Sequence, residues 1–182
     1  MASERILLGI TGSAAAFKGV ALASLLRKRG LHVDGVLTEA GTRFVTATQL
    51  ACVTGRPVYT SLFTSQPDDP VPHIALTEDL ALMIVAPATA DFMARAAWGL
   101  ADDLLSAAYL ACEAPVVMAP SMNSRMWRNP ATVDNVLRLK DRGVTMAGPV
   151  TGGLACGTEG PGRLMEPEGI MDICLEVLGG GA

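Results

Sequence analysis

The feature that most constrains this chain is an alternation in which short apolar runs of strand length are separated by segments of helical period. Residues 6–10, 33–37, 80–85, 115–119 and 144–146 read as strands. After the first of these, Gly12-Ser13 breaks into a helix on which Phe17, Val20, Ala21 and Leu25 recur at three- and four-residue spacing. Lys28 and Arg29 fall in its last turn and Gly30 follows, so helix dipole and C-cap agree on its end. Further helices are predicted at about 42–53, 92–98 and 102–111. Asn129 and Pro130 supply an N-cap and a first-turn proline for a helix that closes at Gly143, and Pro167 opens a last helix ending near Leu178. Strands separated by helices pair in parallel and are covered on both faces. The predicted class is therefore α/β, a three-layer α/β/α, Rossmann-like (flavodoxin-like) open parallel sheet. A length of 182 residues fits one domain over 1–182, with no repeat or linker and only the short glycine tail as low complexity.

Composition excludes several classes. The formal charge of −4, without any Lys/Arg cluster, argues against a nucleic-acid partner, which needs a basic footprint. The strongest apolar run, residues 80–86, stops at Pro87, far short of the roughly 20 residues of a membrane-spanning helix, so no membrane partner is expected. The N-terminus goes almost at once into a strand and lacks the basic-then-apolar layout of a signal peptide, so the expected location is cytoplasmic. Cys52, Cys112, Cys156 and Cys174 show neither CxxC spacing nor the density of a disulfide scaffold, and with only His32 and His73 no metal site is expected.

In an open parallel sheet, ligands bind outside the carboxyl ends of the strands. The turn Gly9-Ile10-Thr11-Gly12-Ser13 leads from the first strand to the first helix, where free backbone N–H groups and the dipole favour an anion. The three-glycine dinucleotide fingerprint is incomplete and no Gly-Lys-Ser/Thr phosphate loop occurs, so a phosphate site and a plain tight turn both remain open, with a mononucleotide such as FMN favoured over a dinucleotide. Later strand ends carry Thr38, then Thr89 and Asp91, then Ser121, Met122 and Asn123. Neutral hydroxyls and amides on successive strands suit a flavin ring and ribityl chain better than a metal or an oxyanion. His73 lies in a segment read as loop; a lone histidine is often structural, but His32 falls in a turn and leaves His73 as the only candidate imidazole base. Around Cys156, four glycines and a proline accompany Arg163, a composition read as a mobile lid. Burial is improbable for a thiol in that setting, whereas the other three cysteines are expected in the core.

Four segments together resemble the flavin-dependent cysteine decarboxylase family, in particular its coenzyme A branch, the phosphopantothenoylcysteine decarboxylases. They are Gly12-Ser13 with Ala15-Ala16-Phe17-Lys18; His73-Ile74; Ala86-Pro87-Ala88-Thr89-Ala90-Asp91 with the Gly99 to Leu105 stretch; and Pro120-Ser121-Met122-Asn123 with Met126-Trp127. The glycine-rich segment is a fifth.

The resemblance implies FMN with its phosphate near Gly12, Ser13 and Ala14, and contacts from Thr38, Thr89, Ala90, Asp91, Phe92 and Ser121. His73 is implied as the catalytic base, reaching into a neighbour's site in a trimer or dodecamer, and Asn123 as the ligand of the substrate carboxylate. Met126, Gly153, Ala155 and Arg163 are the remaining substrate-side candidates, the last three on a clamp loop at about 148–165. The implied reaction is FMN-dependent decarboxylation of a cysteine carboxylate, 4′-phosphopantothenoylcysteine to 4′-phosphopantetheine, with Cys156 returning a proton so that a saturated thiol results. Members that modify peptides release the unsaturated thiol instead, so a substrate ending in a peptidyl cysteine is the alternative. A flavin-binding regulatory protein without turnover is the alternative of another class.

Overall fold

The computed structural model describes residues 4–63, 71–153, 155 and 157–180. Six strands form one parallel sheet: β1 (Arg5–Ile10), β2 (His32–Leu37), β3 (Val58–Tyr59), β4 (Leu82–Ala88), β5 (Val116–Pro120) and β6 (Thr145–Met146), in the order β3-β2-β1-β4-β5-β6. Every pairing is parallel, as the alternation predicted, and the order reverses between β1 and β4. β3 is too short and too polar in context to stand out from sequence.

Because side chains alternate across a strand, the sheet sorts its residues into two cores. Ile6, Leu8 and Ile10 of β1, with Ile84 of β4, pack beneath α1 (Ala16–Lys28), α2 (Ala47–Thr54) and α8 (Pro167–Gly179). Leu7, Met83, Val85 and Met118 face the other way, under α4 (Ala90–Trp98), α5 (Leu104–Ala111) and α7 (Pro130–Asp141). Strands apolar on both faces are what a covered parallel sheet requires, and the three-layer class follows.

Several expectations shift in detail. On α1 the covered stripe is Ala16, Gly19, Val20, Leu22, Ala23 and Leu26, whereas Phe17 is 61% exposed and Ala21 also faces out. The face predicted from spacing is therefore corrected: the sheet covers Val20 but leaves Phe17 and Ala21 outside. The stretch from residue 42 splits into a 3-10 turn (Gly41–Arg43) and α2, which begins only where Thr46 accepts a hydrogen bond from Gln49 N. α5 starts at Leu104 rather than 102 because Asp103 and Ser106 form a capping box. His32 opens β2 instead of lying in a turn, and His73 sits on the short helix α3 (Pro72–Ala75) instead of a loop. Of the cysteines expected in the core only Cys174 is buried; Cys112 is half-buried and Cys52 is exposed on α2. A further short helix, α6 (Ser124–Trp127), follows β5.

The segment expected to be a mobile lid is largely an antiparallel hairpin, β7 (Val150–Gly153) paired with β8 (Glu159–Arg163). Two of its glycines, Gly160 and Gly162, provide clearance. A Cβ on Gly160 would stand 2.5 Å from Ser124 Oγ, and one on Gly162 would collide with the Met122 carbonyl. Gly162 also has φ near 125°, and its carbonyl accepts a 2.9 Å hydrogen bond from Met122 N. The hairpin thus docks on the chain leaving β5. Leu154 and Cys156 lie outside the described residues.

Candidate active site

Where the strand order reverses, helices diverge to opposite faces and leave a crevice at the carboxyl ends of β1 and β4. Thr11, 2% exposed, ties the two strand ends together. Its Oγ1 donates to the Pro87 carbonyl at 2.7 Å and accepts from Thr89 N at 3.1 Å. The chain then turns through Gly12, where a side chain would strike the Ala40 methyl group. Ser13 Oγ lies 3.0 Å from Ser121 Oγ and accepts from Ala15 N, so hydroxyls from the β1 and β5 ends meet above the start of α1. α1 opens without a side-chain cap and without an acidic residue in its first turn. That leaves the positive end of its dipole unopposed.

Two adjoining cavities occupy the crevice. One, of about 600 Å³, is walled by Ser13, Ala14, Ser121, Asn123, Gly153 and Arg163, among others. The second, of about 750 Å³, runs past Thr38, Asp91 and Phe92. Gly12, Thr89, Ala90 and Met126 belong to both. The fold therefore gathers residues expected at the site from four strand ends and the hairpin. Thr89 caps α4, accepting from Phe92 N at 3.3 Å, while the Phe92 ring, 2% exposed, goes into the core against Tyr109. Only backbone of Phe92 is placed to meet a ligand. Thr38 Oγ1 accepts from Gly41 N at 3.1 Å, and Asp91 is held by Arg95 at 2.9 Å. Arg95 also pairs with Asp102, and these hydrogen bonds raise its pKa above the ordinary value. Asn123 caps α6, its Oδ1 accepting from Arg125 N at 2.8 Å, which fixes the orientation of the amide.

The Flavoprotein family model matches residues 1–179. The chain belongs to the Flavoprotein family. The coenzyme A biosynthesis bifunctional protein CoaBC of Vibrio vulnificus (strain YJ016) is 42% identical over 174 residues, 96% of this chain and 43% of that protein. CoaBC of Escherichia coli (strain K12) is 42% identical over 175 residues, again 96% and 43%. The chain spans less than half the length of these relatives. Among solved structures, a Cys-to-Ser mutant of PPC decarboxylase complexed with pantothenoylaminoethenethiol superimposes with a TM-score of 0.83 at 30% identity, covering 96% of this chain and 98% of that one. The FMN-dependent cysteine decarboxylase SpaF gives 0.82 at 30% identity, covering 100% and 99%. The FMN binding protein AtHal3 gives 0.82 at 30%, covering 99% of each.

In this flavoprotein chain His73 is the candidate that the fold does not bring to the crevice: it lines neither cavity. Its Nδ1 is buried without a partner among the described residues, next to exposed Val71 and Ile74. The turn that carries it is anchored from below. Arg5 Nη1 donates to the carbonyls of Ala75 and Glu78, both at 2.9 Å, while its Nε pairs at 2.8 Å with buried Asp34, which Arg56 also clamps. Among the described residues no group of three His, Cys, Asp or Glu is arranged for a metal ion, and no helix is long and apolar enough to cross a membrane.

Sequence reasoning missed Phe17 and Lys18 as wall residues, and Glu166 as the partner of Lys18. Phe17 and Lys18 line the first cavity, and Lys18 pairs with Glu166 at 2.7 Å. The available signal was position: both follow the phosphate turn within one helical turn, where side chains point back toward the N-terminus.

Proposed function

We propose that this chain is an FMN-dependent cysteine decarboxylase that converts 4′-phosphopantothenoylcysteine to 4′-phosphopantetheine in coenzyme A biosynthesis. The observation that carries this reading is the crevice at the switch point. It combines an unopposed helix N-terminus, converging serine and threonine hydroxyls, and a hairpin docked beside Asn123. The likeness to CoaBC over nearly the whole chain supports it.

The residues present fit FMN. Gly12, Ser13 and Ala14, with Ser121, form a cradle for a phosphate at the uncapped start of α1. Thr38, Thr89, Ala90 and the Phe92 backbone offer neutral groups to the rest of the cofactor in the neighbouring cavity, which Asp91 also walls. When bound, FMN supplies a hydride acceptor and donor.

The chain's own groups handle protons and orientation. Asn123 offers an amide donor to the substrate carboxylate, and Met126 packs beside it. His73 takes the thiol proton, serving the site of a neighbouring subunit. That assignment rests on its position outside its own chain's cavities and on the apolar Val71 and Ile74 around it. The assembly proposed is a homotrimer or a homododecamer, located in the cytoplasm. After carbon dioxide leaves, Cys156 would give a proton to carbon as the counterpart of the hydride that FMN would supply, so that the product is a saturated thiol. The clamp at 148–165 excludes water, and 1–182 works as one unit.

Mass spectrometry of the product tests this reading. Loss of carbon dioxide alone, about 44 Da, is expected. Loss of two further hydrogens would assign the alternative, oxidative decarboxylation of a C-terminal peptidyl cysteine. Cys156→Ser is expected to stall at the unsaturated thiol and His73→Asn to abolish decarboxylation; normal product from either removes that residue's role. Bound FMN with no turnover of either substrate type would point to a regulatory flavin-binding protein.

A further inference from the structure

At the rim of the 600 Å³ cavity, Lys18 from α1 and Arg163 from β8 converge on one carboxylate oxygen. Lys18 Nζ and Arg163 Nη2 each lie 2.7 Å from Glu166 Oε1, at the start of α8. Two cations share one anion, so the cluster carries one net positive charge. Lys18 has three N–H donors and Arg163 five, and each gives one to Glu166. Lys18 is largely covered, its side chain only 15% exposed. The hairpin is shaped around the guanidinium: a Cβ on Gly152 would stand 3.0 Å from Arg163 Cδ, so glycine at 152 lets the arginine lie across β7. Ion pairs that reach solvent, as this one does at Glu166, stabilise a fold little. Fold stability is therefore a weak reason for the arrangement. The wall of the same cavity is otherwise largely apolar or small, with Ala15, Phe17, Met122 and Leu164.

From this geometry we propose that Lys18 and Arg163, held by Glu166, form a subsite for the phosphomonoester of the substrate, in the same cavity that Asn123 lines. The subsite rests on the function proposed above and adds its specificity element. A phosphomonoester brings between one and two negative charges and several acceptor oxygens, which matches a fork-shaped guanidinium beside an ammonium. The Lys18 and Arg163 donors beyond those given to Glu166 receive it, and the uncharged middle of the substrate lies along the apolar wall. A peptide ending in cysteine has no group for this rim, so the subsite also separates the two substrate classes.

Two ligands of this protein carry a phosphomonoester, and the experiment distinguishes them. Calorimetry compares 4′-phosphopantetheine with pantetheine on FMN-loaded wild type, Lys18→Gln, Arg163→Gln and Lys18→Arg. Wild type is expected to prefer the phosphorylated ligand by about 30-fold or more, the glutamine variants to lose at least about tenfold of that preference, and Lys18→Arg to restore most of it. FMN affinity, read by fluorescence quenching, is expected to stay within about threefold in all variants. An unchanged preference in both glutamine variants would overturn the subsite. Loss of FMN affinity in step with the preference would assign the two cations to the cofactor phosphate and also overturn it. Turnover of phosphopantothenoylcysteine is scored separately: preference without turnover in wild type retains the subsite and refutes the decarboxylase reading, whereas turnover without preference does the reverse.

Discussion

Replacing Gly162 by alanine tests whether the β7–β8 hairpin is a docked element or a loose lid. Two costs arise in the docked state. Backbone at φ near 125° is poorly accessible to an L-residue, about 1–3 kcal/mol, and the new Cβ collides with the Met122 carbonyl unless the strand withdraws. Withdrawal breaks the Met122 N–H···O=C Gly162 hydrogen bond, worth about 0.5–1.5 kcal/mol. The sum, about 3 kcal/mol, lowers the docked-to-undocked ratio roughly 150-fold. Amide hydrogen exchange at Met122 reads this directly, since its N–H is the donor to the hairpin. Its protection should fall by about two orders of magnitude. The sheet amides of β1 and β4 should keep theirs, because the hairpin forms its own two-stranded sheet. Gly160→Ala is the milder control, about 1 kcal/mol, because its obstacle is the single Ser124 Oγ, which can rotate aside. Unchanged protection at Met122 in Gly162→Ala would refute the docked hairpin and return the segment to a mobile lid.

Thiol reactivity should follow burial. In a Cys156→Ser background, alkylation at pH 8 should modify exposed Cys52 first and Cys112 slowly, because burial raises the Cys112 pKa above 9.0. Cys174, pushed up to about 12 by burial, should label only on unfolding; rapid labelling of the native protein would contradict its place in the core. The same shift fixes a pH dependence: above pH 9 the unfolded chain releases the Cys174 proton and the folded one retains it. Stability should therefore decline between pH 9 and about 12 in wild type and less in Cys174→Ala, measured by urea unfolding. Asp34→Ala removes the carboxylate shared by Arg5 and Arg56, and since both guanidiniums reach water the cost should be about 2–3 kcal/mol, below that of a fully buried pair. Arg5→Met should release the α3 turn, lowering kcat through His73 while leaving FMN affinity unchanged; parallel loss of FMN binding would argue against so local an effect.

The sheet was legible because burial on both faces demands apolar side chains at every position, and runs such as Leu82–Ala88 carry that demand in composition alone. Capped helix ends were legible for the same local reason: Asn129 before Pro130 names its own structure. Local pattern determined less about which face of a helix is covered. Phe17 shares helical spacing with Val20, yet it lines the cavity while Val20 lies in the core, because only the sheet beneath α1 distinguishes the two faces. The glycines near residue 160 illustrate the same limit. Glycine content signalled that side chains were excluded there but not whether freedom or clearance was the cause, and the answer lay in Met122 and Ser124, close in space and distant in sequence.

The sequence by itself determined the layered architecture, the crevice-facing hydroxyls and the family, because each depends on residues within one element or on a motif read in order. Tertiary structure alone decided that Ser13 meets Ser121, that Lys18 and Arg163 share Glu166, and that His73 stands away from its own chain's crevice. These are long-range relations, fixed by the strand order and the path of the hairpin, and no local spacing encodes them.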